Sequence, residues 1–195
     1  RAKELVDKIQ SYYDEEAFGS WRNNFITISD DVDESWETII QGTTDNIGQI
    51  VTEDKPNVNV IKIHSDAFVQ ESTAGGERYP DVNKANFDAI EVGALVVNYF
   101  GHGGEDGIAR ERIFDKINAQ ELKNPCKLNC FVTVTCEYTK FDNPLRPAAG
   151  EYLYWNKEGG AIGLITTTRQ IFVSVGVAFN VVLEKYLFAF GSDDY

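Results

Sequence analysis

Ala94-Leu95-Val96-Val97-Asn98-Tyr99-Phe100-Gly101-His102-Gly103-Gly104 is a short apolar run that stops at a histidine set among glycines. Its length, its β-branched and aromatic residues and its glycine stop predict a β-strand. The run is apolar at consecutive positions, as in a strand covered on both faces. Four other segments share the pattern. Phe25-Ile26-Thr27-Ile28 ends in Ser29-Asp30-Asp31, and Val58 to Ile63 ends in His64-Ser65-Asp66. Leu128 to Thr135 ends at Cys136, and Ala161 to Thr166 ends in Thr167-Thr168-Arg169.

Amphipathic stretches separate these runs. Residues 3–13 carry Leu5, Val6, Ile9 and Tyr12 at helical spacing, and 35–53 carry Trp36, Ile39, Ile40, Ile47, Ile50 and Val51 on one face. Asp33 and Glu34 suit the N-terminus of that second helix electrostatically. A helix over 82–92 starts after Asp81, placed to cap it, and stops at Gly93. Residues 109–122 read as helical through Ile113, Phe114, Ile117 and Leu122, and 147–157 as a short helix. Residues 174–190 read as a helix with Val175, Phe179, Val182, Tyr186 and Phe190 on one face. Alternating strands and helices predict a single α/β domain over 1–195, with 1–20 a lead-in helix and linker. Its sheet is mainly parallel, of five to six strands, with helices on both faces because crossovers are right-handed.

The chain has 195 residues, 43% hydrophobic and 25% charged, which suits one globular domain. Acidic residues outnumber basic ones 31 to 18, for a net charge of −13, so nucleic acid is a disfavoured partner. The longest apolar stretch, Val173 to Leu183, is broken by Ser174 and Asn180 and falls short of the ~18 residues of a membrane span. Methionine is absent throughout, which predicts a piece of a longer protein. Three cysteines are too few for a disulfide-built scaffold.

Ligands in open parallel sheets bind beyond the carboxyl ends of the strands. Two consecutive strands here end in His102 and Cys136. If they are neighbours, they lie roughly 5 Å apart, and both side chains open into one crevice. A thiol becomes a strong nucleophile when an imidazole takes its proton. Gly101, Gly103 and Gly104 allow backbone N–H groups to approach a developing oxyanion. Asp30 or Asp31 is placed to orient the imidazole if the first strand lies beside the third.

Other chemistries fit less well. Cys126, Cys130, Cys136 and His102 fail as a zinc set, because Cys130 and Cys136 would stand about 20 Å apart in an extended strand. Gly101-His102-Gly103 begins a dinucleotide fingerprint whose third glycine is replaced by Asp106. No cofactor is required. The cluster Asp30, Asp31, Asp33 and Glu34 offers oxygen ligands for calcium but lacks EF-hand spacing. A burial role for Cys136 and an idle loop role for His102 leave the alternative of a binding or scaffold domain.

Asn98-Tyr99-Phe100-Gly101-His102-Gly103, followed 34 residues after the histidine by a cysteine closing an apolar strand, resembles the gingipain-type cysteine peptidases. The resemblance implies a caspase-like three-layer α/β fold. It also implies Cys136 as nucleophile, His102 as base and Asp31, with Asp30 beside it, as the supporting acid. The oxyanion would be held by the N–H groups of Gly103 and Cys136. The substrate pocket would draw on Thr167, Thr168, Arg169 and Phe172, with Glu105 near His102. A narrower likeness rests on Gly76-Glu77-Arg78-Tyr79-Pro80, on Val97 to Glu105, on Cys136 to Asp142 and on Gly159 to Arg169. These segments resemble the sortases of type IX secretion systems. That likeness implies cleavage of C-terminal sorting signals through a thioester, other secretion-system components as partners, and a place at the cell surface, the outer membrane or outside the cell. Thr135 departs from the alanine common before the cysteine. The acid that selects arginine in arginine-specific gingipains has no clear counterpart here.

Overall fold

A computed structural model describes residues 2–188. Five parallel strands form the central sheet: β1 (Asn24–Ser29), β2 (Asn59–His64), β3 (Val96–Phe100), β4 (Asn129–Val134) and β5 (Ala161–Thr166). Their spatial order is β5-β4-β3-β1-β2. All five predicted strands are present, each within two residues of its expected bounds. The helices are α1 (Ala2–Ser11), α2 (Thr38–Asp54), α3 (Pro80–Val92), α4 (Lys116–Glu121), α5 (Ala149–Trp155) and α6 (Val173–Leu187). None of the described helices is long and apolar enough to cross a membrane.

Strand alternation divides the apolar residues between two cores. Ile26, Ile28, Val97, Tyr99 and Phe131 join Val82 and Ile90 of α3 and Leu153 of α5 on one face. Phe25, Val96, Phe100, Val132 and Val134 join Ile40, Ile47 and Val51 of α2 and partly buried residues of α6 on the other. This double cover explains the unbroken apolar runs.

Four predicted helices differ from expectation. The 109–122 segment is helical only over α4. Ala109 and Arg112 have φ of 59° and 58°, a left-handed backbone that ends any regular helix. Phe114-Asp115 instead pairs antiparallel with Gly107-Ile108, and that pair continues to Gly103-Gly104. The Asp115 carboxylate then caps α4, accepting from the N–H groups of Ile117 (2.8 Å) and Asn118 (3.2 Å).

The stretch at 35–53 opens with a tight 3-10 turn, Ser35–Glu37, before α2. This turn leaves Trp36 exposed, and Ile39 is also exposed, while Ile40, Ile47 and Val51 face the sheet. The third helix begins two residues earlier than expected: Pro80 is its first residue, so Asp81 lies inside its first turn rather than capping it.

α6 is turned the other way from its apolar periodicity. Val175, Phe179, Val182 and Tyr186 are exposed, whereas Gly176, Asn180 and Glu184 are buried. Phe190 lies outside the described residues. The sheet selects the face. Asn98 on the central strand donates to Asn180 Oδ1 at 3.0 Å in the interior, a bond no apolar face could satisfy. At Gly176 the helix comes so close that a Cβ would stand 2.7 Å from Phe100 Cε2.

That contact generates a prediction. Gly176→Ala gains about 1 kcal/mol of helix propensity but forces a methyl into a close-packed ring, which costs about 1–3 kcal/mol. The clash is severe enough that the net effect is destabilising, read as a lower urea midpoint at unchanged m-value.

Candidate active site

The register of β3 decides what meets at the carboxyl edge. Phe100 pairs with Ser29 of β1 on one side and Val134 of β4 on the other. Two residues further on, Asp31, His102 and Cys136 emerge from three adjacent strands. The Gly101 N–H reaches Val134 O at 3.4 Å, continuing the pairing one step past the strand. Gly103 then packs on the residue before the cysteine: a Cβ there would lie 2.6 Å from Thr135 Oγ1. Glycine is therefore required if the histidine loop is to lie against β4.

His102 is held at both backbone groups and at its ring. Its N–H donates to Asp30 Oδ2 at 2.7 Å. Its carbonyl accepts from the Tyr99 hydroxyl at 2.6 Å and from the Ala109 N–H at 2.9 Å. Its Nε2 lies 2.8 Å from Glu37 Oε1. The edge of Trp36 meets the imidazole, with ring centroids 6.2 Å apart and planes at 85°.

Glu37, not Asp31, is thus the carboxylate on the imidazole. Asp31 Oδ2 instead accepts from the Tyr79 hydroxyl at 3.3 Å and Gln70 Nε2 at 3.4 Å. The first acids after β1 serve the loop backbone and its surroundings, and the ring is met by an acid from the next turn of chain. Glu37 is buried, which alone would raise its pKa. The Glu34 and Asp33 N–H groups, each 2.8 Å from Oε2, and the His102 imidazole on Oε1 outweigh burial and hold it below the ordinary glutamate value. In the sequence Glu34-Ser35-Trp36-Glu37 reads as a helix start, and Glu37 does occupy that place, with its second oxygen left for the histidine.

Cys136 is half-buried, and all three cysteines are free. Glu137 follows it with φ of 52°, so the chain turns sharply just past the thiol. The turn is held by the segment after β5. Glu137 N–H donates to Arg169 O at 3.3 Å, and Thr139 N–H to Thr167 O at 3.2 Å. The Thr167 hydroxyl donates to Thr135 O. Arg169 makes a two-pronged pair with Asp142, at 3.0 and 2.6 Å, and also donates to Thr168 O at 2.7 Å.

The expected pocket residues thus divide. Thr167, Thr168 and Arg169 line up with the cysteine loop. Phe172 projects into solvent. Glu105 is engaged by Asn143 Nδ2 at 2.9 Å and Lys140 Nζ at 3.4 Å, so it braces the 137–146 loop.

The oxygen-rich cluster expected at Asp30, Asp31, Asp33 and Glu34 is rearranged. Asp33 pairs with Arg110 at 3.5 Å. Glu111 joins Asp30 and Asp31 instead, with one carboxylate oxygen of each residue within 4.8 Å of the others. Burial, and the charges of the neighbouring acids, raise the pKa of all three. Glu111 escaped the sequence reading because it lay within a segment that reads as helix.

The sequence matches peptidase family C25 across residues 1–195. No curated protein matches it. Among solved structures, one described as a protease superposes with a TM-score of 0.71 at 20% identity, covering 91% of this chain and 36% of that one. The Arg-specific cysteine proteinase gingipain R (RGPB) gives 0.67 at 18% identity, covering 95% and 41%. The complex of Porphyromonas gingivalis RgpB pro- and mature domains gives 0.66 at 18%, covering 95% and 42%. The chain therefore spans 36–42% of the length of these solved chains, and shares their fold. With a full-length family match laid over a sheet that ends two neighbouring strands in histidine and cysteine, this chain belongs to peptidase family C25.

Proposed function

We propose that this chain is the catalytic domain of a gingipain-type cysteine endopeptidase or transpeptidase. The observation that carries the reading is the Glu37–His102 bond, set on the strand next to the one that ends in Cys136. An imidazole oriented by a buried acid, beside a thiol on a sharp turn, is the arrangement that thiol acyl transfer needs.

The chemistry follows from which ring nitrogen is already used. Glu37 occupies Nε2, so Nδ1 takes the Cys136 proton. The thiolate sulfur attacks the scissile carbonyl carbon, and its oxygen becomes an oxyanion held by the N–H groups of Gly103 and Cys136. The imidazolium, stabilised by Glu37, returns the proton to the leaving amine as the C–N bond breaks. The resulting thioester is resolved by water, giving hydrolysis, or by an amine, giving a new amide. The segments that resemble type IX sortases favour the second course, with C-terminal sorting signals of exported proteins as substrates and a surface amine as acceptor. Thr167, Thr168 and Arg169, beside the cysteine turn, would flank a bound substrate, with the exposed Phe172 further out. Export to the cell surface and contact with other secretion-system components belong to this same reading.

Iodoacetamide labelling at mildly acidic pH separates this reading from an idle scaffold. Cys136 is expected to react well before Cys126 and Cys130, because it alone stands on the strand next to a histidine able to act as its base. Equal rates at the three sites would sink the enzyme reading.

Glu37→Gln is expected to lower kcat/KM by on the order of 10²–10⁴-fold while Cys136→Ala abolishes turnover. Asp31→Asn leaves the imidazole's partner in place and costs far less. A peptide assay on the three variants checks that order.

Added hydroxylamine is expected to divert the thioester, giving a peptide hydroxamate that mass spectrometry detects. Cleavage with no trace of the hydroxamate at saturating amine would argue against an acyl-enzyme.

A further inference from the structure

α6 presents an apolar seam outward. Phe172, just before the helix, and Val175, Phe179, Val182 and Tyr186 along it are between 41% and 82% exposed. They recur at intervals of three and four residues, the spacing with which one α-helix packs on another. The face toward the sheet is already taken, by Gly176 against Phe100 and Asn180 against Asn98. The seam is thus a second packing face, and an exposed apolar patch of this kind marks an interaction site.

Two features select its occupant. The first is charge. The chain carries −13, so two copies repel each other over most of their surface. On α6, Glu184 is buried, and Lys185 is the one charged side chain exposed among the described residues. Two copies therefore meet at this face without opposing carboxylates. A seam that selects a different helix uses rows of flanking charges to do so, and a single lysine does not make one. The second feature is order. From either end the seam reads aromatic, valine, phenylalanine, valine, aromatic. A two-fold contact needs a surface complementary to itself, and this sequence is so when two helices run antiparallel.

We propose that this face of α6 joins two copies of the chain in a two-fold dimer with the helices antiparallel. Phe179 meets its own equivalent on the axis. Val175 packs on Val182 of the other copy, and Phe172 on Tyr186. The 15 residues of α6 span roughly 22 Å, so the contact is smaller than a standard interface and the dimer dissociates on dilution. The antiparallel arrangement puts the two carboxyl edges at opposite ends of the dimer, so neither histidine–cysteine crevice faces the other.

The test is sedimentation equilibrium of the 195-residue chain from about 1 μM to about 1 mM, a range that brackets weak association. The mass is expected to rise from 21.9 kDa toward twice that value. Raising the salt from about 0.1 M to about 1 M screens the net charge and is expected to strengthen the dimer several-fold, the reverse of a contact made by ion pairs. Phe179→Lys sets two like charges on the axis and is expected to remain a monomer throughout, with an unchanged circular dichroism spectrum. Oxidation of an equal mixture of Val175→Cys and Val182→Cys chains is expected to link positions 175 and 182, mapped by mass spectrometry, whereas Val175→Cys alone does not link to itself. A monomer at the highest concentration in high salt would overturn the proposal. So would a dimer that survives in Phe179→Lys, or a mixture that links no faster than Val175→Cys alone. If Phe179→Lys fails to fold, the cysteine mixture still decides.

Discussion

Phe100 pairs with Ser29 on one side and Val134 on the other, and this in-register pairing of three parallel strands is what the candidate site depends on. Parallel strands in register bring their carboxyl ends to one level, so the residues just past them share a crevice. A slip of one residue on β4 would turn Phe131 and Val132 to the wrong cores and send Cys136 away from the histidine. The double hydrophobic cover of the sheet therefore secures the register that the chemistry requires. Gly101 and Gly103 extend that constraint past the strands, because no side chain fits between the histidine loop and Tyr99, Asp30 or Thr135.

Onto this frame a single buried carboxylate joins the helix layer to the catalytic edge. Glu37 accepts two backbone N–H groups with one oxygen and the His102 ring with the other. The first bonds hold the acid ionised and still, and the second uses it to orient the imidazole. Removing the imidazole would leave the buried Glu37 oxygen without its partner, so the geometry of the edge and local stability are coupled at this residue. Asp30 does the corresponding work for the histidine backbone from the end of β1. The loop that carries His102 is thus gripped from two sides by acids of different elements.

Much of the architecture was legible along the chain. The five strands announce themselves by consecutive apolar residues ended by polar or glycine-rich turns, and the histidine and cysteine at two of those ends point to thiol chemistry. The helices were less legible where tertiary contacts overrode periodicity. At α6 the apolar stripe predicts the buried face, yet Asn180 is drawn inward by Asn98, and Gly176 by the ring of Phe100. At 109–115 the spacing of Ile113 and Phe114 fits a helix, but left-handed residues at Ala109 and Arg112 turn the chain into a ribbon. Helical spacing records which residues are apolar. It does not record which neighbour each will meet.

The sequence by itself determined the class of fold and the strands that end in a histidine and a cysteine, because apolar runs and chain stops are local features. Only the tertiary structure decided that Glu37 and not Asp31 meets the imidazole, and that Glu111 joins Asp30 and Asp31. The physical reason is the same in both cases. Which carboxylate reaches a given atom depends on how the 3-10 turn before α2 and the loop after β3 fold back over the sheet. Those paths are set by contacts between residues 65 to 81 positions apart, which no local pattern encodes.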